Sequence, residues 1–145
     1  MIYTSINQIL NIIKTISQNH SQVNGYVFGE ESDISASEQE KYPLVWSNLL
    51  PSSISESTLT LNINLLVMDI QKADQSNEQD TLSDTFSICQ DIWAMLNSPA
   101  YYDNYVLQES VQLEIIREGL PDMVNGWRMS LAFDMPSTQN RCQVP

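Results

Sequence analysis

Histidine occurs once, glycine four times, cysteine twice and basic residues six times in this chain of 145 residues. Each scarcity removes a class of chemistry. A catalytic histidine needs a nucleophile or orienting partner in reach, and the surroundings of His20 nominate none, so it reads as a surface or helix-capping residue. Four glycines leave almost no room for a phosphate-cradling loop, and neither G-x-S-x-G nor H-E-x-x-H occurs. Cys89 and Cys142 have no short spacing, so they form neither a metal knuckle nor a redox pair. Cys89 is expected in the core. The bases Lys14, Lys41, Lys72, Arg117, Arg128 and Arg141 are scattered along the chain, whereas phosphate-backbone binding needs a clustered positive patch. No apolar run approaches the roughly 18–20 residues that span a bilayer. The opening MIYTSINQILNIIKT has neither a basic start nor a small-residue cleavage site. The expectation is a protein made and used in the cytoplasm, or inside something assembled there, with no membrane partner.

What is abundant is acid. Eighteen acidic residues give a net charge of −12. Such a surface keeps a protein soluble and repels DNA. The acids suggest two sites, and both patterns fall short. Asp74, Ser76, Glu78 and Asp80 alternate like the start of a calcium loop. Gln79 stands where that loop requires glycine, and Thr85 where it requires glutamate. A solvated, helix-capping loop is the expectation. Asp69 and Asp134 are placed at adjacent strand ends, which would resemble a carboxylate pair, but nothing else of a glycosidase site is present. No enzyme activity, cofactor or metal is therefore expected.

The length suits one domain with a sizeable core. Ile6, Ile9, Leu10, Ile13 and Ile16 recur at spacings of three and four, predicting a helix over 3–18. A short strand spans Gly25 to Gly29. Residues 30–41, EESDISASEQEK, hold five acids and three serines and read as a solvated loop. A second strand follows over 42–48, then a turn at 51–57. Over 58–68 Leu59, Leu61, Ile63 and Leu65 alternate with Thr58, Thr60, Asn62 and Asn64, before Leu66, Val67 and Met68 break the alternation. That end is expected to be buried on both faces.

A second helix is predicted over 80–97, capped from Ser76 or Asn77, with Leu82, Phe86, Cys89, Trp93 and Leu96 as its apolar stripe. Strands over 105–116 and 126–134 follow, joined by a loop with turn signals at Gly119, Pro121 and Asn125. The order α-β-β-β-α-β-β predicts a single α+β domain over 1–135, a largely antiparallel sheet with both helices on one face, and a polar tail over 136–145.

Trp93 and Trp127 fall on apolar faces and read as core. Trp46 shares a predicted edge strand with Tyr42, Leu44 and Val45. An uncovered aromatic edge invites pairing, so Tyr42, Leu44 and Trp46 are candidate contacts to a neighbouring copy.

The first helix, YPLVWSNLLPSS, the long strand leading into LLVMDIQKADQSNEQDTLSD, and TFSICQDIWAML together resemble tail-terminator and neck-ring proteins of tailed phages. The ring proteins of crAss-like phages are the most similar in pattern. The resemblance covers roughly residues 4–135 and is one of element order and texture. It implies a structural virion protein forming a homo-oligomeric ring of six or twelve copies in the neck or tail. Such a ring joins portal or adaptor to tail tube, or terminates the tube, with DNA passing through the lumen without specific binding. It also implies contacts to neighbours through the 30–41 loop (Glu30, Glu31, Asp33), the 117–125 loop (Leu120, Pro121, Asp122, Met123) and the tail (Arg141). The chain also resembles the acidic type III secretion chaperones, dimers of similar element order that hold an extended protein segment.

Overall fold

The computed structural model describes residues 5–29, 42–70, 78–101, 104–117 and 124–136. Its helices are α1 (Ile6–Asn19) and α2 (Glu78–Leu96). Its strands are β1 (Gly25–Phe28), β2 (Leu44–Leu49), β3 (Ser53–Ile54), β4 (Thr58–Ile70), β5 (Val106–Leu107), β6 (Gln112–Arg117) and β7 (Val124–Pro136). The predicted α+β class and the helix–strand order hold, with extra short strands. The sheet is mixed, in the order β1-β2-β4-β7-β5, with β3 also on β4 and β6 also on β7. Among the described residues only β1 and β2 pair in parallel.

The β4–β7 ladder is the spine, pairing all thirteen residues of β4 from Thr58↔Pro136 to Ile70↔Val124. Odd-numbered residues of both strands face the helices. There Leu61, Ile63, Leu65, Val67, Met129, Leu131 and Phe133 meet Ile9, Ile13 and Ile16 of α1 and Ile88, Cys89, Ile92 and Leu96 of α2. Each such side chain stabilises the fold by roughly 1.5–3 kcal/mol on full burial, so this layer dominates. A smaller cluster lies on the other face, formed by Tyr42, Leu44, Trp46, Leu66, Met68, Ile116 and Val124. Leu66, Val67 and Met68 are thus buried on both faces, as their sequence predicts.

Local signals set the helix ends. Ser5 caps α1, accepting from Gln8 N–H at 3.2 Å while its own N–H donates to Gln8 Oε1 at 2.7 Å. This reciprocal pair is the S-x-x-Q capping box, so the helix starts at Ile6 and not at residue 3. In α2 the buried face is Thr81, Thr85, Ile88, Cys89, Ile92 and Leu96. It is rotated by about one residue from the predicted stripe. Thr85 Oγ1 donates to the Thr81 carbonyl at 2.8 Å, which lets a small polar residue occupy the buried line. The bulky rings stand at the flank, where Phe86 meets Trp127 edge-on at 5.3 Å. Trp127 Nε1 donates to the Leu82 carbonyl at 2.9 Å.

Cys89 lies in the core as expected, and burial pushes its thiol up to about 12. Only the thiolate attacks, so a Cys142→Ser protein is expected to react with Ellman's reagent at pH 8 only at its unfolding rate. Fast labelling of the native protein would contradict this placement.

The predicted strand over 105–116 is two strands. Residues 108–111 leave the ladder between Leu107↔Phe133 and Gln112↔Ser130. Ile115 keeps the predicted facing, opposite Trp127 on the helix-bearing face, but is exposed there, while Ile116 joins the second cluster. Asn125, predicted as a turn signal, pairs with Asp69 inside β7, and Pro136, placed in the tail by sequence, pairs with Thr58.

Candidate functional site

The predicted edge strand is an interior one. β2 is flanked by β1 through Gly25↔Leu44 to Phe28↔Ser47, and by β4 through Leu44↔Met68 to Leu49↔Ile63. Tyr42, Leu44 and Trp46 are buried within this chain, and Trp46 Nε1 donates to the Gly29 carbonyl at 2.9 Å. These side chains fill the second cluster, so the edge argument for them as contacts to another copy falls. The physical cause is β1, a strand of four residues whose parallel pairing covers the edge that the sequence left open. Glu30, Glu31, Asp33, Leu120, Pro121, Asp122, Met123 and Arg141 lie outside the described residues, as do Asp74, Ser76 and Asn77.

Asp69 and Asp134 are not neighbours. Asp69 pairs with Asn125 at one end of the ladder, and Asp134 pairs with Thr60 at the other. Nine residues of strand separate them, about 30 Å at the usual rise. Thr60 Oγ1 donates to Asp134 at 2.7 Å, an ordinary cross-strand hydrogen bond. His20 caps α1 at its C-terminal end and links it to α2. Its Nδ1 accepts from Gln22 N–H at 3.1 Å and its Nε2 lies 2.8 Å from Asp91 Oδ2. An Nε2–H tautomer satisfies both contacts. The residue works as a tether between helices.

What the fold offers is two dissimilar sheet edges. Among the described residues, one edge is β1, running parallel to its neighbour and ending in Phe28, which is 49% exposed. The other is the broken β5–β6 strand, with Val106 65% exposed and Ile115 also outside. The interior of the sheet is disturbed next to that second edge. Residues 50–52 bulge from β4 between Leu49↔Ile63 and Ser53↔Thr60, and 108–111 bulge from β7 at the same level. Both interruptions flank the Asn62↔Ala132 rung. They open a groove of about 480 Å³ on the helix-free face, lined by residues including Asn62, Gln108, Ser110, Gln112 and Ser130. Beside the apolar Leu50, Pro51, Leu131 and Ala132, its polar side chains are neutral amides and hydroxyls, suited to hydrogen bonding with a backbone or polar partner. They offer no acid, base or nucleophile pair.

No known protein family matches the chain, and no curated protein matches it.

Sequence reasoning missed this surface for a specific reason. Val111 and Leu113 resume the alternation begun at Tyr105 and Leu107 in the same phase, which reads as one strand. The run Gln108, Glu109 and Ser110, with Glu109 at an inward position, was the signal that could have revealed the break.

Proposed function

We propose that the chain is a structural virion protein that assembles head-to-tail into a ring of six or twelve copies in a phage neck or tail. The ring joins portal or adaptor to tail tube, or ends the tube, and DNA passes through its lumen. The observation that carries this reading is the pair of unlike edges. Two different complementary patches on one subunit make a heterologous contact, which closes into a ring when the rotation allows. Adding β1 of one copy to the β5–β6 edge of the next would supply main-chain hydrogen bonds, with Phe28 and Val106 as apolar anchors. The net charge of −12 supports a lumen along which DNA slides without sticking. The phage assignment itself rests on the resemblance of the quoted segments.

Native mass spectrometry tests this. A six-copy ring of the 16.5 kDa chain has a mass of about 99 kDa, six times that value. Phe28→Asp and Val106→Asp are each expected to abolish the ring while leaving the fold intact, because both side chains are exposed. Mixed together, the two variants should form a 1:1 pair, since each keeps one good edge. A parent protein that stays a dimer of about 33 kDa, twice the chain mass, and holds an extended peptide would overturn the ring in favour of a chaperone.

A further inference from the structure

The helix layer ends in two apolar flanks without acids, in a chain that carries eighteen. One flank belongs to α2. Past its first residue this helix holds three acids, Asp80, Asp84 and Asp91. Asp91 reaches His20 at the end of α1, and Asp84 lines a cavity with Ser21 and Gln22 of the α1–β1 turn. Asp80, one turn before Asp84, falls on the same side. Phe86 and Trp93 lie nearly opposite Asp84 and Asp91 round the helix. They occupy the flank turned away from α1, where Phe86 meets Trp127 edge-on at 5.3 Å. Ile115 stands beside Trp127 as its partner in the β6–β7 ladder. Phe86 is 37% exposed and Ile115 40%. Among the described residues α2 packs chiefly on β7 and β4, and α1 on β1 and α2, which leaves β6 at the margin of the layer.

The other flank belongs to α1, which has no acid and a single base, Lys14. Thr15, Ile16 and Asn19 face α2 across a cavity that Asp91 and Met95 share. Ile6 and Leu10 lie nearly opposite Thr15 and Asn19 round the helix, on the side away from α2. Ile6 is 44% exposed, and so is about half of Phe28 at the end of β1, the strand beneath α1.

We propose that the α1 flank of one copy, through Ile6 and Leu10, docks on the α2–β6 flank of the next, against Phe86, Trp93 and Ile115. The inference rests on the head-to-tail ring reading and adds a helix layer to its strand contact. Strand direction argues for a second copy as the occupant. β1 is parallel to β2, and the steps from β2 to β4, β7 and β6 are each antiparallel, so β1 and β6 run in opposite directions. A copy in the same orientation therefore adds its β1 to β6 as an antiparallel pair. Its helices stay on the same face, which sets its α1 beside the open flank of α2. A four-residue strand spans only about 13 Å, whereas a stable interface removes about 800 Å² from each partner. Packing between the helices supplies the remainder. Charge selects the same contact, because copies at −12 each approach without like-charge repulsion only where acids are missing.

Native mass spectrometry of full-chain variants tests this, with each variant's melting temperature reporting its fold. Ile6→Lys and Phe86→Glu should each lower the ring population about tenfold or more, since each buries an unpaired charge in the contact. One chain carrying both substitutions should recover the ring, because the new charges meet across every contact. Ile115→Glu repeats the test on the same flank and leaves the Phe86–Trp127 pair in place. A parent ring that Phe28→Asp and Val106→Asp abolish, but Ile6→Lys, Phe86→Glu and Ile115→Glu leave intact, would overturn the helix contact and keep the ring. A dimer lost in Phe86→Glu and untouched by Ile6→Lys would replace it with an α2-to-α2 contact. A parent that stays monomeric would overturn the ring and this contact together.

Discussion

Gly126→Ala is expected to remove most of the stability of the fold. Gly126 sits on β7 opposite Met68 of β4. A Cβ added there would stand 1.9 Å from the Val67 carbonyl oxygen, 2.9 Å from its carbon and 3.0 Å from Met68 Cα. All three atoms are backbone in the longest ladder, two rungs from its Ile70↔Val124 end, so no side-chain rotation relieves the contact. The φ of +159° is close to fully extended, which makes the obstacle contact more than torsion. The strands must separate or slip. A cost of about 4 kcal/mol or more, at the upper end of single substitutions, is expected. That is a large share of the roughly 5–15 kcal/mol typical of a domain. Urea denaturation followed by tryptophan fluorescence measures it, and a loss below about 1 kcal/mol would show that the ladder tolerates a local shift.

Phe133→Ala is expected to cost about 3–5 kcal/mol. The ring is fully buried and packs edge-on against Tyr105 at 4.9 Å. Tyr105 in turn donates its hydroxyl to the Leu96 carbonyl at 2.8 Å, closing the C-terminal end of α2. Removing Phe133 leaves a cavity and unseats that link. Tyr105→Phe keeps the ring and deletes only the hydrogen bond, so about 1 kcal/mol is expected. The exposed Val106→Asp should change stability by only a few tenths of a kcal/mol. The same urea titration orders the three, and a Phe133→Ala loss no larger than that of Tyr105→Phe would contradict the packing described.

Legibility differed element by element for physical reasons. The strand from Thr58 was readable because one side packs and one side meets polar groups, which imposes a period of two on Leu59 through Leu65. The double burial of Leu66 to Met68 was readable because apolar residues there fill both phases. The α2 face was misread because two lines of residues have equally good helical spacing, and size favoured the aromatic one. Thr81 and Thr85 won the buried line by satisfying or hiding their own hydroxyls. The bulge at 108–111 was missed because the strand's alternation resumes after it in the same phase, although Glu109 breaks that alternation.

The sequence by itself determined the helix–strand order, the single α+β domain and the core placement of Cys89. These depend on local periodicity and on neighbours a few residues away. Only the tertiary structure decided which strand is an edge, because a strand's neighbours come from distant segments: four residues of β1 turned the predicted edge of Tyr42, Leu44 and Trp46 into interior. It likewise separated Asp69 from Asp134 and brought Asp69 to Asp84 and Asn125. An antiparallel ladder sends the ends of β4 and β7 apart, while the helix after β4 folds back over its own end, and no spacing along the chain records either distance.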